Sequence, residues 1–163
     1  MPKIQRSMAR LGSAIRIVPA EVRHVGYLAH HMRAIDQLEC RAMGREPKQA
    51  LRTGIMTSAK CWTALLDGRP HAMFGVVVES VLTGEAVPWF LGTDEVYRHP
   101  REMLAWGPTI IDRLHDSRHT LRNLVSSQNA QAIRLLKRWG FAVDEEEVGV
   151  RGVMFRRFSK EPC

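Results

Sequence analysis

Apolar and polar positions alternate from Ala14 to Val18 and the pattern stops at Pro19, which predicts a strand. Val22, Val25, Leu28, Ala29 and Met32 then recur at helical spacing, so an amphipathic helix follows. A second helical stretch over 35–43 ends at Gly44. Pro47 opens a third through Ile55, because proline suits the first turn of a helix. The period then changes. Residues 61–66 are strand-like, Asp67-Gly68 is a strong hairpin turn, and residues 70–79 form the returning strand. Leu82-Thr83-Gly84-Glu85 is a second turn, leading into a strand over 86–93. Pro88 lies inside that strand; proline cannot donate to a ladder, so it marks an edge or a bulge. Residues 100–116 place Met103, Leu104, Gly107, Ile110, Ile111 and Leu114 on one helical face, with Gly107-Pro108 as a point of kinking or splitting. Residues 121–125 are a short strand. Asn129 begins a helix whose apolar set is Ala132, Ile133, Leu135, Leu136 and Trp139. Gly140 closes it in the left-handed conformation, and Phe141 starts the next strand. Residues 144–147 read as an acidic turn before a last strand over 152–158.

The order is β-α-α-α-β-β-β-α-β-α-β-β. Helices interleave with a mixed, mostly antiparallel sheet of about six or seven strands, so the fold class is α+β, layered, in a single domain. Residues 1–12 form a basic arm carrying Lys3, Arg6 and Arg10, and the domain spans 13–160. A chain of 163 residues can bury a core without disulfide or metal staples. Three cysteines with no C-x-x-C spacing argue against a disulfide framework or a zinc knuckle. No apolar run approaches the length of a membrane helix, and the N-terminus has no apolar signal core, so a cytoplasmic setting is expected.

The 24 Lys and Arg against 17 Asp and Glu leave a net charge of +7, which favours encounter with anions: nucleic acid, a membrane surface or a phosphorylated cofactor. Arg134, Lys137 and Arg138 share a helix face, but no nucleic-acid-binding motif accompanies them, so nucleic acid is the weaker expectation. His30 and His31 are adjacent on a helix and diverge, so they cannot share a metal. No metal site is expected.

Asn129-Ala130-Gln131-Ala132-Ile133-Arg134-Leu135-Leu136-Lys137-Arg138-Trp139-Gly140-Phe141 resembles a signature of the GNAT acyl-CoA N-acyltransferase superfamily, roughly N-x-x-A-x-x-L-Y-x-x-x-G-F. Asn129, Ala132, Leu135, Gly140 and Phe141 fall in place, and the element order is also that of the superfamily from about Ser13 to Phe158. A narrower resemblance is to phage internal virion proteins with a GNAT-like fold. It is carried by the run from Asp67 to Val76, Pro88-Trp89-Phe90-Leu91-Gly92-Thr93, His99-Pro100-Arg101 and the Asn129 helix.

The superfamily resemblance implies that the strand over 86–93 is central and diverges from residues 121–125 at its C-terminal end, leaving room for pantetheine. It also implies acetyl-CoA or CoA as cofactor, lined by Leu91, Thr93, Arg98, Arg101 and Asn129. The family holds the cofactor's phosphates with a glycine-containing loop, R/Q-x-x-G-x-G/A. The matching stretch here is Tyr97-Arg98-His99-Pro100-Arg101-Glu102-Met103, where His, Arg or Met stand in place of glycine and Pro100 has no N–H. Arg98, His99 and Arg101 can instead grip phosphate by side chain or simply solvate the helix start. The tyrosine that often protonates the leaving thiolate is replaced by Leu136. Catalytic candidates are Glu79 and Tyr97, with Glu85 as an exposed turn acid. Two functions follow. One is a phage-type GNAT-like protein with an altered acyltransferase site, serving virion assembly or interaction with virion or host proteins. The other is an active acyl-CoA-dependent N-acetyltransferase on an amine. The resemblance also places Leu135, Leu136 and Trp139 against the sheet and buries Phe141.

Overall fold

The computed structural model describes residues 15–80, 82–115 and 119–162. The basic arm over 1–12 lies outside them. Strand β1 (Ile15–Pro19) is followed by a 3-10 turn (Val22–His24) that runs into α1 (Val25–His31). Then come α2 (Ala34–Ala42), α3 (Pro47–Thr57), β2 (Lys60–Leu66), β3 (Arg69–Ser80) and β4 (Glu85–Gly92). A second 3-10 turn (Val96–Arg98) precedes α4 (Pro100–Leu114). The chain closes with β5 (Thr120–Ser126), α5 (Ala130–Arg138), β6 (Ala142–Val150) and β7 (Val153–Lys160). The seven strands form one sheet in the order β1-β2-β3-β4-β5-β7-β6. Neighbours are antiparallel except β4 and β5, which are parallel.

Alternation along β3 explains the three layers, because successive side chains point to opposite faces. Phe74 and Val76 join Trp106, Ile110, Ile111 and Leu114 of α4, Ile133 of α5, and Leu121, Val125 and Phe158 of the other strands. Met73, just before Phe74 and on the opposite face, joins Val25 and Leu28 of α1, Cys40 of α2 and Leu51 of α3. Helices α1–α3 therefore cover one face and α4–α5 the other. Phe141 is buried, as expected, and joins the α4–α5 core. Helix α4 runs unbroken through Pro108. Gly107 is required beside it: a Cβ there would lie 2.2 Å from Trp139 Nε1, so α4 and α5 touch at that residue.

The helix expected from Val22 to Met32 is shorter than its apolar spacing suggests. Its first turn is 3-10, and Met32 has already left the helix to bridge Thr93. The acidic turn expected at 144–147 is not a turn. Those residues lie in β6, where the register against β7 slips between Val143 and Glu147. The hairpin turn is Arg151-Gly152, both at positive φ, the backbone that a tight two-residue hairpin requires. β6 is an outer strand, and its run of acids discourages another chain from pairing there.

Candidate functional site: a notch between β4 and β5

Pro88 sits in a central strand, not at an edge, and the reason locates the site. His71 C=O accepts from Thr93 N–H, so odd-numbered residues of β3 and β4 hydrogen-bond to each other. Ala86, Pro88, Phe90 and Gly92 therefore aim their backbone groups away from β3, toward β5. Ala86 pairs with Leu121, and Glu85 with Thr120. The next position that should donate to β5 is Pro88, which has no N–H. The ladder ends there and the strands part. Asn123 spans the fork: its Nδ2 donates to Pro88 C=O (2.8 Å) and its Oδ1 accepts from Leu124 N–H (2.7 Å). Beyond it, the N–H and C=O of Phe90 face open space.

That space is part of a cavity of about 590 Å³ that passes through the fork. On one side it meets α2 and α3, with Asp36, Glu39, Cys40, Arg45 and Thr53 in its wall. On the other it meets α5, with Asn129, Ala132, Leu135, Leu136 and Trp139. The last three are half-buried because they wall the notch and not only the core. Gly54 of α3 allows close packing on the cavity: a Cβ there would lie 2.5 Å from the Trp89 ring.

A buried polar cluster holds the open end. Gly92 N–H donates to Asp36 Oδ2 (2.9 Å), and Gly92 C=O accepts from Arg33 N–H (3.0 Å), so α2 completes the end of β4. Ser126 N–H, at the end of β5, donates to Glu39 Oε1 (3.0 Å). One turn of α2 thus grips both diverging strands. Arg33 donates from Nη1 to Asp36 Oδ1 (3.2 Å) and from Nη2 to Asn129 Oδ1 (3.2 Å) and Gln131 Oε1 (3.0 Å). Its guanidinium lies 3.8 Å from the centre of the Tyr97 ring. Burial pushes Asp36 up to about 7 and outweighs the pull of Arg33 in the other direction. Burial also raises Glu39, opposed by its hydrogen bonds from Asn129 and Ser126. Tyr97 is raised by burial and by Asp36, so its hydroxyl stays protonated.

The loop before α4 is differently built. The N–H groups of Arg98 and His99 are spent on Glu95 and Val96 carbonyls within the 3-10 turn. Pro100 has none, and Met103 N–H bonds to His99 C=O. The first turn of α4 therefore presents the N–H groups of Arg101 and Glu102. Glu95 takes a 2.6 Å bond from Arg98 and lies 3.5 Å from His99, so an acid already sits among the loop's cations.

Of the residues expected to line a cofactor, Leu91 and Asn129 are in the cavity wall. Thr93 is buried outside it, its hydroxyl 2.7 Å from His71 Nδ1. Arg98 ends the 3-10 turn and Arg101 lies in the first turn of α4, both outside the wall. Glu79 is exposed at the rim and Tyr97 is inside. Glu85 opens β4 rather than ending a turn, and it pairs with Arg122 (3.2 Å) at the closed end of the fork. Asn129 caps α5, its Oδ1 accepting from Ala132 N–H (3.3 Å), and its Nδ2 donates to Glu39. Sequence reasoning missed Arg33, Asp36, Glu39 and Asn123. The one available signal was the Arg33, Asp36 and Glu39 spacing, which places three charges along one side of a helix.

No protein-family model and no curated protein sequence matches the chain. Solved structures do match it in shape. A GNAT-family acetyltransferase from Bacillus anthracis superposes with a TM-score of 0.61 at 9% identity, covering 90% of this chain and 92% of its own. A GNAT-family acetyltransferase from Streptococcus pneumoniae gives 0.59 at 12% identity, covering 90% and 98%. An aminoglycoside acetyltransferase in complex with coenzyme A gives 0.62 at 14% identity, covering 91% and 95%. Nothing in these likenesses speaks for the narrower resemblance to phage internal virion proteins. Seven strands in one mixed sheet, parted between β4 and β5 and covered by helices on both faces, make this a GNAT-like fold.

Proposed function

We propose that the chain is an acyl-CoA-dependent N-acyltransferase that acts on an amine. The observation that carries this reading is the fork between β4 and β5, with unpaired strand backbone facing a cavity large enough for a slender chain. The fit to CoA is good in the notch. Phe90 N–H and C=O can complete a ladder with pantetheine amides, and Ala132, Leu135 and Leu136 supply an apolar wall. The phosphates would rest on the first turn of α4, on the N–H groups of Arg101 and Glu102 and the side chains of Arg98 and Arg101. Bound there, the cofactor supplies an activated acyl thioester. Tyr97 holds a protonated hydroxyl in the same cavity, where Leu136 offers none, so Tyr97 is the residue that would donate to a leaving group.

A second reading takes support from the α4 loop: a non-catalytic protein that keeps the fold for assembly or interaction, as a phage-type virion protein would. Pro100 and the Glu95 carboxylate both weaken the loop as a phosphate site. Calorimetric titration with acetyl-CoA separates the two. Binding is expected, falling as salt rises because the phosphate grip is side-chain charge on the surface. It should also be lost in Ala132→Trp, which fills the notch, while the circular dichroism spectrum is retained. Absence of binding at low salt would sink the acyltransferase reading.

A further inference from the structure

We propose that Glu39 is the general base that deprotonates the acceptor amine; the assignment rests on the acyltransferase reading above. Its two oxygens are not equivalent. Oε1 accepts from Ser126 N–H (3.0 Å) and from Asn129 Nδ2 (3.1 Å), which fixes the carboxylate to the end of β5 and the start of α5. Oε2 has no hydrogen-bond partner among the described residues. It is also not among the sealed, unpartnered polar atoms of the described residues, which are Trp106 Nε1, Ser127 Oγ and Arg156 Nε. Glu39 is part of the cavity wall, so Oε2 opens onto the cavity.

The other acids nearby do not share this arrangement. Asp36, one turn earlier, has one oxygen on Arg33 and the other on Gly92 N–H. Glu79 is exposed at the rim. Asn129 thereby acts twice. Its Oδ1 caps α5 and receives Arg33, while its Nδ2 orients Glu39.

Burial raises the Glu39 carboxyl above its ordinary range, opposed by the hydrogen bonds from Asn129 and Ser126, and a raised carboxylate is the stronger base. The charged groups around it are Arg33 and Asp36 on its own helix. The cavity wall adds Tyr97, Arg45 and Glu79, and β5 and α5 face it with the uncharged Ser126 and Asn129. Arg33 favours the carboxylate form, and burial opposes it more strongly.

The acceptor enters as an ammonium ion. Glu39 Oε2 takes one proton and frees the nitrogen lone pair. The nitrogen forms the new C–N bond to the acyl carbon as the C–S bond breaks, and that bond's electron pair leaves on sulfur. The nitrogen's second proton ends on the sulfur. The products are amide, thiol and protonated Glu39, which returns its proton to solvent.

Glu39→Gln is a close test. Its amide oxygen can keep both bonds at the Oε1 position, leaving the NH₂ to replace only the free oxygen. The protein is titrated with acetyl-CoA, and turnover on primary amines is followed by thiol release across pH. The expected result is unchanged acetyl-CoA affinity with kcat/KM lower by roughly 100-fold or more. The wild-type profile should level off once Glu39 has lost its proton, whereas the variant's should keep rising toward the amine's own pKa. Equal turnover by wild type and Glu39→Gln overturns the assignment and leaves the acyltransferase reading standing. Wild-type binding without turnover on any amine also overturns it. No acetyl-CoA binding by the wild type overturns the acyltransferase reading, and the assignment falls with it. If Glu39→Gln does not fold, the wild-type profile decides: a rate that climbs without plateau to about pH 9 overturns the assignment.

Discussion

The two halves of the sheet are held together by different means. From β1 to β4 every strand pairs with its neighbour along most of its length, and so do β5, β7 and β6. Between the halves the ladder is limited to Glu85↔Thr120 and Ala86↔Leu121. Past that point the connection passes to side chains: Asn123 across the fork, then Asp36, Glu39 and Arg33 from α2. Backbone ladders keep their hydrogen bonds whatever side chains the strands carry, proline apart. A join made by side chains can be titrated, mutated and shaped to hold a cavity. The molecule has given up backbone pairing where it needs space.

That contrast can be broken most sharply at Arg33. Its side chain is 6% exposed and pairs with Asp36, so Arg33→Ala would leave a buried carboxylate uncompensated. A loss of about 3–5 kcal/mol is expected from urea unfolding near pH 8, and a smaller loss where Asp36 is protonated. An equal loss at both pH values would show that the charge of Asp36 is not what Arg33 serves.

Within a paired half, Leu121 is fully buried, and Leu121→Ala should cost about 2–5 kcal/mol. Leu136, half-buried on the notch, should cost only about 1 kcal/mol when cut to Ala. If the two variants share a denaturation midpoint, Leu136 belongs to the core and not to a cavity wall.

The join should also give stability a pH dependence of a definite sign. Asp36 is raised to about 7 in the fold, above its ordinary 3.8. The folded state therefore binds its proton more tightly than the unfolded chain. The stability this contributes is complete below about pH 4 and is lost as pH rises through 7, on the order of 2–4 kcal/mol. Urea unfolding between those values should show a steeper decline for the wild type than for Asp36→Asn. Parallel slopes would mean that Asp36 is not perturbed.

The smallest effect is expected at the fork itself. Asn123→Ala leaves Pro88 C=O and Leu124 N–H without their partner, but both face the notch, where water can replace it. About 1 kcal/mol of stability should be lost, with a larger proportional change in acetyl-CoA affinity as the fork is freed. A stability loss with no change in affinity would separate Asn123 from the notch.

Much of this architecture was legible in the chain because its signals are local. Asp67-Gly68 marked its hairpin, Asn129 and Gly140 bounded α5, and the change of period at residue 61 marked the start of the sheet's central strands. Pro88 was legible as an interruption but not as a fork. A missing N–H becomes a fork only when parity aims that position at β5 and not at β3. The acids at 144–147 looked like a turn because charge and turn propensity coincide in sequence, whereas at a sheet edge charge has another use.

The site was the least legible part. Sequence alone determined the elements, the α5 motif and the poor phosphate loop, since each depends on residues a few positions apart. Nothing local in the sequence separates Arg33, Asp36 and Glu39 from the charges of any surface helix. Their partners Asn129, Gly92 and, again, Asn129 lie 96, 56 and 90 residues away in the chain. Only the tertiary structure could bring these groups together, because burial, not residue type, turns three ordinary helix charges into a seam in which one carboxylate oxygen has no hydrogen-bond partner among the described residues.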